Sequence, residues 1–479
     1  MSFTNTVFLF IFFPASILGY FITRLLETKW RRGTCQIGNG LLLLFSLCFF
    51  AWARMDGVIN LCVYLLLVYL LGRLIAAKTR NQSRKLALAF GVVLLTAILF
   101  YYKYYNFAVE SALQYAGFEF RDILVPLGIS FITFSAISYL TDVYRGDAPA
   151  GNFLDVALYL SFFPKVISGP IVLWKDFYPQ TGKRSVTEGQ FLKGINRMII
   201  GFAKKVILAD TFGILISQIQ EQAMGKGIDC PTSWGCALLY MLQIYYDFSG
   251  YSDIAIGISA MFGFQFHDNF RFPYVSRSIT EFWRRWHISL GTWFREYIYI
   301  PLGGNRKGYV RTLLNLGVVF LVTGIWHGAG WNYIYWGMLN GFFVILEKGI
   351  HDKAFYQKIP SVVKWAGTMM IVFFSWELFR FPTMDDFHYF MTILFAGVSF
   401  EAINYTFAYY FSRKIIVYVV IGILGATVLQ FPFFEKKNRQ LDGTKTGLIV
   451  KEGILLLLMA AAVITMVNST YSPFIYFQY

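Results

Sequence analysis

The sequence predicts an all-α, polytopic integral membrane protein. Hydrophobic residues make up 57% of its 479 positions and charged residues only 14%, against roughly one quarter charged in an ordinary soluble domain. Apolar stretches able to cross a hydrocarbon core of about 30 Å, which takes roughly 20 helical residues, recur from end to end. No internal repeat and no long linker interrupts them, so a single membrane domain over 1–479 is the simplest organisation.

Long apolar segments fall near 5–23, 57–76, 86–105, 123–141, 309–327, 331–346, 361–379, 415–432 and 452–470. Shorter or more broken ones lie near 39–53, 152–173, 190–207, 234–247, 251–265 and 386–400. The expected count is roughly 11–13 membrane helices, the other segments being interfacial or re-entrant. No basic residue precedes Arg24, so the first segment reads as a retained anchor and not as a signal peptide. Cytoplasmic loops collect Lys and Arg. The cluster Arg24, Lys29, Arg31 and Arg32, and then Lys78, Arg80, Arg84 and Lys85, therefore place the N-terminus outside. Near the C-terminus, basic residues both before 415–432 (Arg413, Lys414) and after it (Lys436, Lys437, Arg439) break the alternation, so one segment there is expected not to cross fully.

The net charge of +15 is scattered through short loops. It reads as positive-inside bias and contact with anionic lipid, with a smaller share left for attraction of an acidic acyl donor; no basic stripe suits nucleic acid. Cys35, Cys48, Cys62, Cys230 and Cys236 show no metal or disulfide spacing. Lys175 to Lys205 is basic and only partly apolar, which predicts the cytoplasmic surface. Tyr245 to Asn305 is too polar and glycine-rich for a lipid-facing helix, and polar groups at membrane depth persist only inside protein or beside a wet cavity.

Within that region, Ser278-Ile279-Thr280-Glu281 fits a capping box. Phe282, Trp283, Trp286, Leu290, Trp293, Phe294 and Tyr297 follow at helical spacing, which predicts one helix in the interface plane, with Arg284, Arg285 and Arg295 reaching lipid phosphates or Glu281. Asp247 and Asp253 interrupt apolar runs and need partners, for which these arginines are the candidates. Orienting a catalytic histidine is the sharper alternative. Gly303-Gly304-Asn305-Arg306 after Pro301 resembles a phosphate-binding turn, although a tight loop is the default.

Five histidines can be weighed singly. His351 and His388 sit beside loop charges, and His267 lies in an apparent turn. His327 ends a run from Leu313 to Trp326 that holds no ionisable residue. Counted from Arg311 at about 1.5 Å per residue, it lies roughly 24 Å up its helix, in the outer half of the bilayer. Gly328, Ala329 and Gly330 then leave room for a turn or for close approach of a substrate. A core histidine bonded to a carbonyl is the plain alternative. Desolvation holds an imidazole neutral, the form that takes a proton from an attacking hydroxyl. His287, in Trp283-Arg284-Arg285-Trp286-His287, has the stronger structural alternative, with orientation or lining of a donor path as its functional one. A haem held by two such histidines would need facing positions. No serine-hydrolase elbow, Walker loop or zinc motif appears, and no metal or bound cofactor is expected.

The segments Phe163-Pro164-Lys165 through Ser168-Gly169-Pro170, Tyr246 to Asp253, Asn269-Phe270 through Pro273-Tyr274, Phe282 to His287, Pro301 to Arg306 and Trp326-His327-Gly328 resemble, in order, the membrane-bound O-acyltransferase (MBOAT) family of polysaccharide acetylation. The resemblance spans roughly 123–345 and implies a catalytic core there, with transmembrane helices at 1–122 and 346–479 on either side. It implies a ring of helices around a thin centre approached by a funnel from each side. His327 corresponds to the family's essential histidine and His287 to the second one, which makes both candidate catalytic residues. Asp247, Asp253, Arg284, Arg285, Arg295, Asn305 and Trp326 are candidate support or donor-path residues. Asn340-Gly341 stands where a His-Gly pair often follows Trp336-Gly337, so that position is not expected to be catalytic.

The resemblance further implies a multi-pass cell-membrane acetyltransferase. Its donor would be a cytosolic thioester such as acetyl-CoA, its acceptor an extracytoplasmic polysaccharide, and its partner a separate extracytoplasmic acetyltransferase. D-alanyl transfer to teichoic acid is the alternative within the family. A transporter or channel, which would move solute without chemistry, and a scaffold for other envelope enzymes are the alternatives outside it.

Overall fold

The structure is a computed structural model that describes residues 3–30, 35–112, 117–396 and 405–468. Arg31 and Arg32 of the first basic cluster, the last four positions of 386–400 and the last two of 452–470 lie outside the described residues. Every regular element among the described residues is helical. Short turns aside, the helices are α1 (Phe13–Trp30), α2 (Gln36–Ala53), α3 (Met55–Ala77), α4 (Asn81–Ser111), α5 (Ile129–Arg145), α6 (Phe153–Ser161), α7 (Glu188–Phe202), α8 (Asp210–Lys226) and α9 (Cys230–Met261). Then follow α10 (Ile279–Arg285), α11 (Ile288–Phe294), α12 (Tyr309–His327), α13 (Trp331–Ile350), α14 (Ser361–Arg380), α15 (Met384–Ala396), α16 (Arg413–Thr427), α17 (Pro432–Asp442) and α18 (Lys445–Asn468).

Eight helices among the described residues are long and apolar enough to span a membrane: Phe8–Lys29, Gln36–Ala53, Gly57–Ala77, Asn81–Ser111, Tyr309–His327, Ser361–Arg380, Arg413–Gln430 and Lys445–Asn468. The protein is thus a multi-pass membrane protein. Several expected segments differ in detail. The helix anticipated from 123 starts only at Ile129, because Pro126 and a left-handed Gly128 (φ 69°) precede it. The stretch 152–173 is helical only to Ser161 and then turns through Pro164 and Pro170. The two segments 234–247 and 251–265 are one 32-residue helix, α9.

Packing divides the chain into two compact units, Met1–Met198 with Ser252–His267 and Ile199–Tyr251 with Asp268–Tyr479. In the first unit, the turn after α6 is enclosed by protein. Phe162, Phe163, Trp174 and Tyr159 are fully buried, and the Trp174 ring packs against Tyr139 and Tyr159 at centroid distances of 5.0 and 5.1 Å. Lys165 is also buried there; its Nζ donates to Ser135 Oγ at 3.1 Å and lies 4.4 Å from the Tyr159 ring centroid. Asp253 pairs with Arg197 (Nε to Oδ1 2.9 Å), which is an arginine but none of the three expected.

In the second unit, the π-helical stretch Ala203–Ala209 joins α7 to α8 and carries Lys205 inward. Its Nζ lies 2.6 Å from Asp210 Oδ1 and 2.7 Å from Asp247 Oδ1, all three side chains being buried. This corrects two expectations. Asp247 pairs with a lysine, and Lys205 at the end of the basic stretch is buried, although Lys183 and Lys193 within that stretch are exposed. The side-chain pattern alone did not show that the helix under-winds here, into a wider π-turn, and rotates Lys205 toward α9. Gly250 permits the approach, since a Cβ there would sit 2.8 Å from the Gly201 carbonyl oxygen.

α12 and α13 form an antiparallel hairpin. Gly324 and Gly337 face each other at its crossing: a Cβ on Gly337 would lie 2.5 Å from Phe320 O and 2.9 Å from Gly324 Cα. Small residues let membrane helices approach this closely, so van der Waals contact replaces the missing hydrophobic drive. Asn332 Nδ2 then donates to Phe381 O at 2.7 Å, tying the start of α13 to the end of α14.

Two stability outcomes follow. Gly337→Ala should cost about 1–3 kcal/mol by overpacking, read as a lowered melting temperature in detergent, and an unchanged melt would contradict the close crossing. Lys205→Met should cost about 3–5 kcal/mol, because two buried carboxylates lose their cation; urea unfolding in mixed micelles measures it, with equal midpoints the contrary result.

Candidate active site

The segment expected to form one interfacial helix is two short helices. Ser278 caps the first as predicted, its Oγ accepting from the Glu281 N–H at 3.0 Å. The Glu281 carboxylate reaches back one residue beyond the cap to the Arg277 N–H at 2.9 Å. α10 ends at Arg285, and His287 then takes left-handed backbone angles (φ 47°, ψ 53°) before α11 begins. Phe282, Trp286, Leu290, Trp293 and Phe294 are buried in protein, not laid on the headgroup plane. The helical spacing of these residues was real, but the break at His287 turns the apolar faces of both helices inward.

What they turn toward is an aromatic shell. Trp286 packs on Trp376 at 4.7 Å and on Phe270 at 5.0 Å, and Phe270 packs on Phe248 at 5.0 Å. His287, only 2% exposed, stands edge-to-face on Phe248 at 4.6 Å. Neither of its ring nitrogens has a hydrogen-bond partner among the described residues. Burial among rings penalises the imidazolium, so its pKa falls well below the ordinary value and the ring is neutral.

His327 is the last residue of α12, as the sequence predicts, and is 6% exposed. Its ring packs against Trp326, Trp336 and Phe379 at 4.8, 4.9 and 5.1 Å. Trp326 also lies 6.2 Å from His287, so one indole stands against both imidazoles. Gly328 is needed below it for a steric reason, since a Cβ would fall 2.2 Å from the Tyr333 ring, and Tyr333 packs on Phe379. Asn340 donates to Trp336 O and Ser375 Oγ, both at 2.8 Å, and accepts from Trp283 Nε1 at 3.3 Å. It braces the shell.

A cavity of 440 Å³ opens beside this shell and is lined by His287, Arg284, Arg295, Thr280, Thr292 and Tyr299 among others. Arg284 and Arg295 are exposed, and Arg295 also meets Glu296 at 3.2 Å. The cavity therefore offers two guanidiniums and a neutral imidazole within apolar walls. A larger apolar cavity of 760 Å³ in the first unit, among α2, α3, α4 and residues 124–132, holds neither histidine. Volume is a poorer guide to chemistry here than the convergence of polar groups.

The structure gathers only some of the expected site residues. His287, Arg284 and Arg295 line the cavity, while Trp326 stands 6.2 Å from His287 and His327 packs on Trp326 behind it. Arg285 is occupied with Glu281 at 2.9 Å and with Arg271 O at 3.1 Å. Asp247 and Asp253 belong to the ion pairs already described. Asn305 is exposed, in a turn whose N–H groups are spent internally: Gly303 and Gly304 donate to Ile300 O and Tyr299 O, each at 2.9 Å. It is a tight loop, held from α12 by Asn315 Nδ2 on Gly304 O at 2.9 Å, and not a phosphate cradle. Thr280, Thr292 and Tyr299 were missed, as threonine and tyrosine in an aromatic helix carry no distinguishing signal. Among the described residues no group of three or more His, Cys, Asp or Glu is placed to hold a metal ion.

Comparison with known proteins gives this geometry a family. Residues 77–382 match the family described as MBOAT, membrane-bound O-acyltransferase. A probable alginate O-acetylase AlgI of Pseudomonas putida is 36% identical over the whole of both chains. A peptidoglycan O-acetyltransferase of Helicobacter pylori is 32% identical over 81% of this chain and 78% of its own. A teichoic acid D-alanyltransferase of Streptococcus thermophilus is 30% identical over 47% of this chain and 58% of its own. The chain belongs to the membrane-bound O-acyltransferase family and is a membrane O-acyltransferase.

Proposed function

We propose that the chain transfers acetyl from a cytosolic thioester, acetyl-CoA, toward the hydroxyls of an extracytoplasmic polysaccharide, with His327 as general base and residues 123–345 as the catalytic core. The observation that carries the reading is the pair of buried imidazoles on one indole, beside a cavity that bears two guanidiniums. His327 takes the proton of the acceptor hydroxyl as its oxygen attacks the thioester carbonyl. The C–O bond forms, the tetrahedral intermediate collapses with cleavage of C–S, and the thiolate leaves with the proton that His327 returns. His287 orients the thioester from the cavity side. Arg284 and Arg295 meet the donor's phosphates, for which guanidinium forks are well matched.

Acetyl is favoured over D-alanyl because the relatives named for O-acetylation align along most or all of this chain, whereas the D-alanyltransferase aligns over about half. The acceptor faces outward, and a separate extracytoplasmic acetyltransferase receives the group or completes the transfer. Trp326 fixes the relation between the two histidines.

The test uses membranes from a host deleted for its own copy of this gene and expressing variants, supplied with radiolabelled acetyl-CoA; alkali-labile label on envelope polysaccharide is counted. His327→Ala should lower incorporation by about 10²–10⁴-fold, the usual worth of general-base catalysis, and full incorporation would overturn the assignment. Arg284→Ala and Arg295→Ala should each raise the KM for acetyl-CoA about tenfold with kcat little changed, as expected of lost charge-assisted donor contacts. A fall in kcat at constant KM would place these arginines elsewhere in the cycle.

A further inference from the structure

His287 is held in a conformation that its own side chain does nothing to secure. Left-handed backbone at a non-glycine residue is costly and persists only where surrounding structure imposes it. Among the described residues only Phe272 and His287 combine a side chain with positive φ, each at 47°. His287 also occupies the cap position of α11, where a side-chain acceptor would normally satisfy first-turn N–H groups, yet it makes no such bond.

Asn269, twenty residues or so earlier in the chain, supplies what is missing. Its carbonyl oxygen accepts from the Ile288 N–H at 3.0 Å. Its side-chain Oδ1 accepts from the Ser289 N–H at 3.1 Å and from Ser289 Oγ at 2.9 Å. Two residues on, the Arg271 N–H donates to Arg285 O at 2.9 Å, so the run 269–271 brackets the kink from both sides. Asn269 is 1% exposed. It thus acts as a cap delivered from a distance on the first turn of α11, while the Arg271 N–H holds the end of α10 on the other side of His287.

We infer that Asn269 is a positioning residue that forces His287 into its left-handed conformation and so aims its imidazole at the donor cavity. The inference rests on the reading of His287 as a donor-orienting group. Strain at this point has a use. The ring is placed by backbone geometry and packing on Phe248 and Trp326, so both nitrogens are left for substrate. A hydrogen bond from protein to the ring would have fixed the same orientation and consumed an acceptor or donor.

Four variants test this in the membrane assay above and by thermal unfolding in detergent. Asn269→Leu removes the acceptor at similar volume and should lower kcat about tenfold or more, with little change in the KM for acetyl-CoA, as misplacement of a catalytic group does. Asn269→Asp keeps Oδ1 as acceptor and should restore most of that loss. His287→Gly should melt above His287→Ala, because both lack the ring but only glycine takes positive φ without penalty. Failure of Asn269→Asp to exceed Asn269→Leu, or a KM effect with kcat unchanged, would overturn the positioning role. Equal melting of the two His287 variants would overturn the strain. Full kcat in His287→Ala would instead sink the donor-orienting role of His287, and the melting gap between the two variants would still report whether the backbone is strained.

Discussion

Enclosure of two imidazoles in a shell of aromatic rings is the constraint on which the rest of the structure depends. A titratable side chain at membrane depth persists only when protein surrounds it or a wet cavity reaches it. Here protein encloses both rings and a cavity borders one of them. Trp336 and Phe379 flank His327, Phe248 supports His287, and Trp326 touches both, while the cavity reaches the shell at His287. Trp286 and Trp376 join α10 to α14 behind them. Rings suit this task because they exclude water over large areas and pack edge-to-face without needing hydrogen-bond partners.

The shell can close only because glycines let the supporting helices approach. At Gly324 and Gly337 the backbones of α12 and α13 nearly touch, and Gly328 leaves the space that Tyr333 fills. Gly250 plays the same part for α9 against the π-helical stretch that carries Lys205. The ion cluster of Lys205, Asp210 and Asp247 then anchors the helix from which Phe248 projects toward His287. A charged cluster and an aromatic one are neighbours in sequence, and the first holds the element that builds the second.

Much of this was legible in the residues. Hydropathy marked the spans because an isolated apolar run of about 20 residues has few other uses, and α12 runs from 309 to 327 as read. His327 stood out since no other ionisable group shares its run. The capping box at Ser278 was found through a local pattern with a local cause. Partners were not legible. Asp247 chose Lys205 and Asp253 chose Arg197, pairings decided by helix crossing and not by chain proximity. The break at His287 was equally hidden, because Asn269 imposes it from another segment while the intervening sequence keeps a helical rhythm. That rhythm also misled the placement of Trp286 and Trp293, which a single unbroken helix would have laid on the membrane surface.

As general base, His327 acts on the acceptor's proton and not on donor affinity. The most direct measurement compares, in one detergent preparation of His327→Ala, the binding of acetyl-CoA by isothermal titration with the transfer of its acetyl group after reconstitution. The expected result is a dissociation constant like that of the unaltered protein with ester formation lowered about 10²–10⁴-fold. Ester formation at the unaltered rate, or loss of donor binding together with transfer, would contradict it.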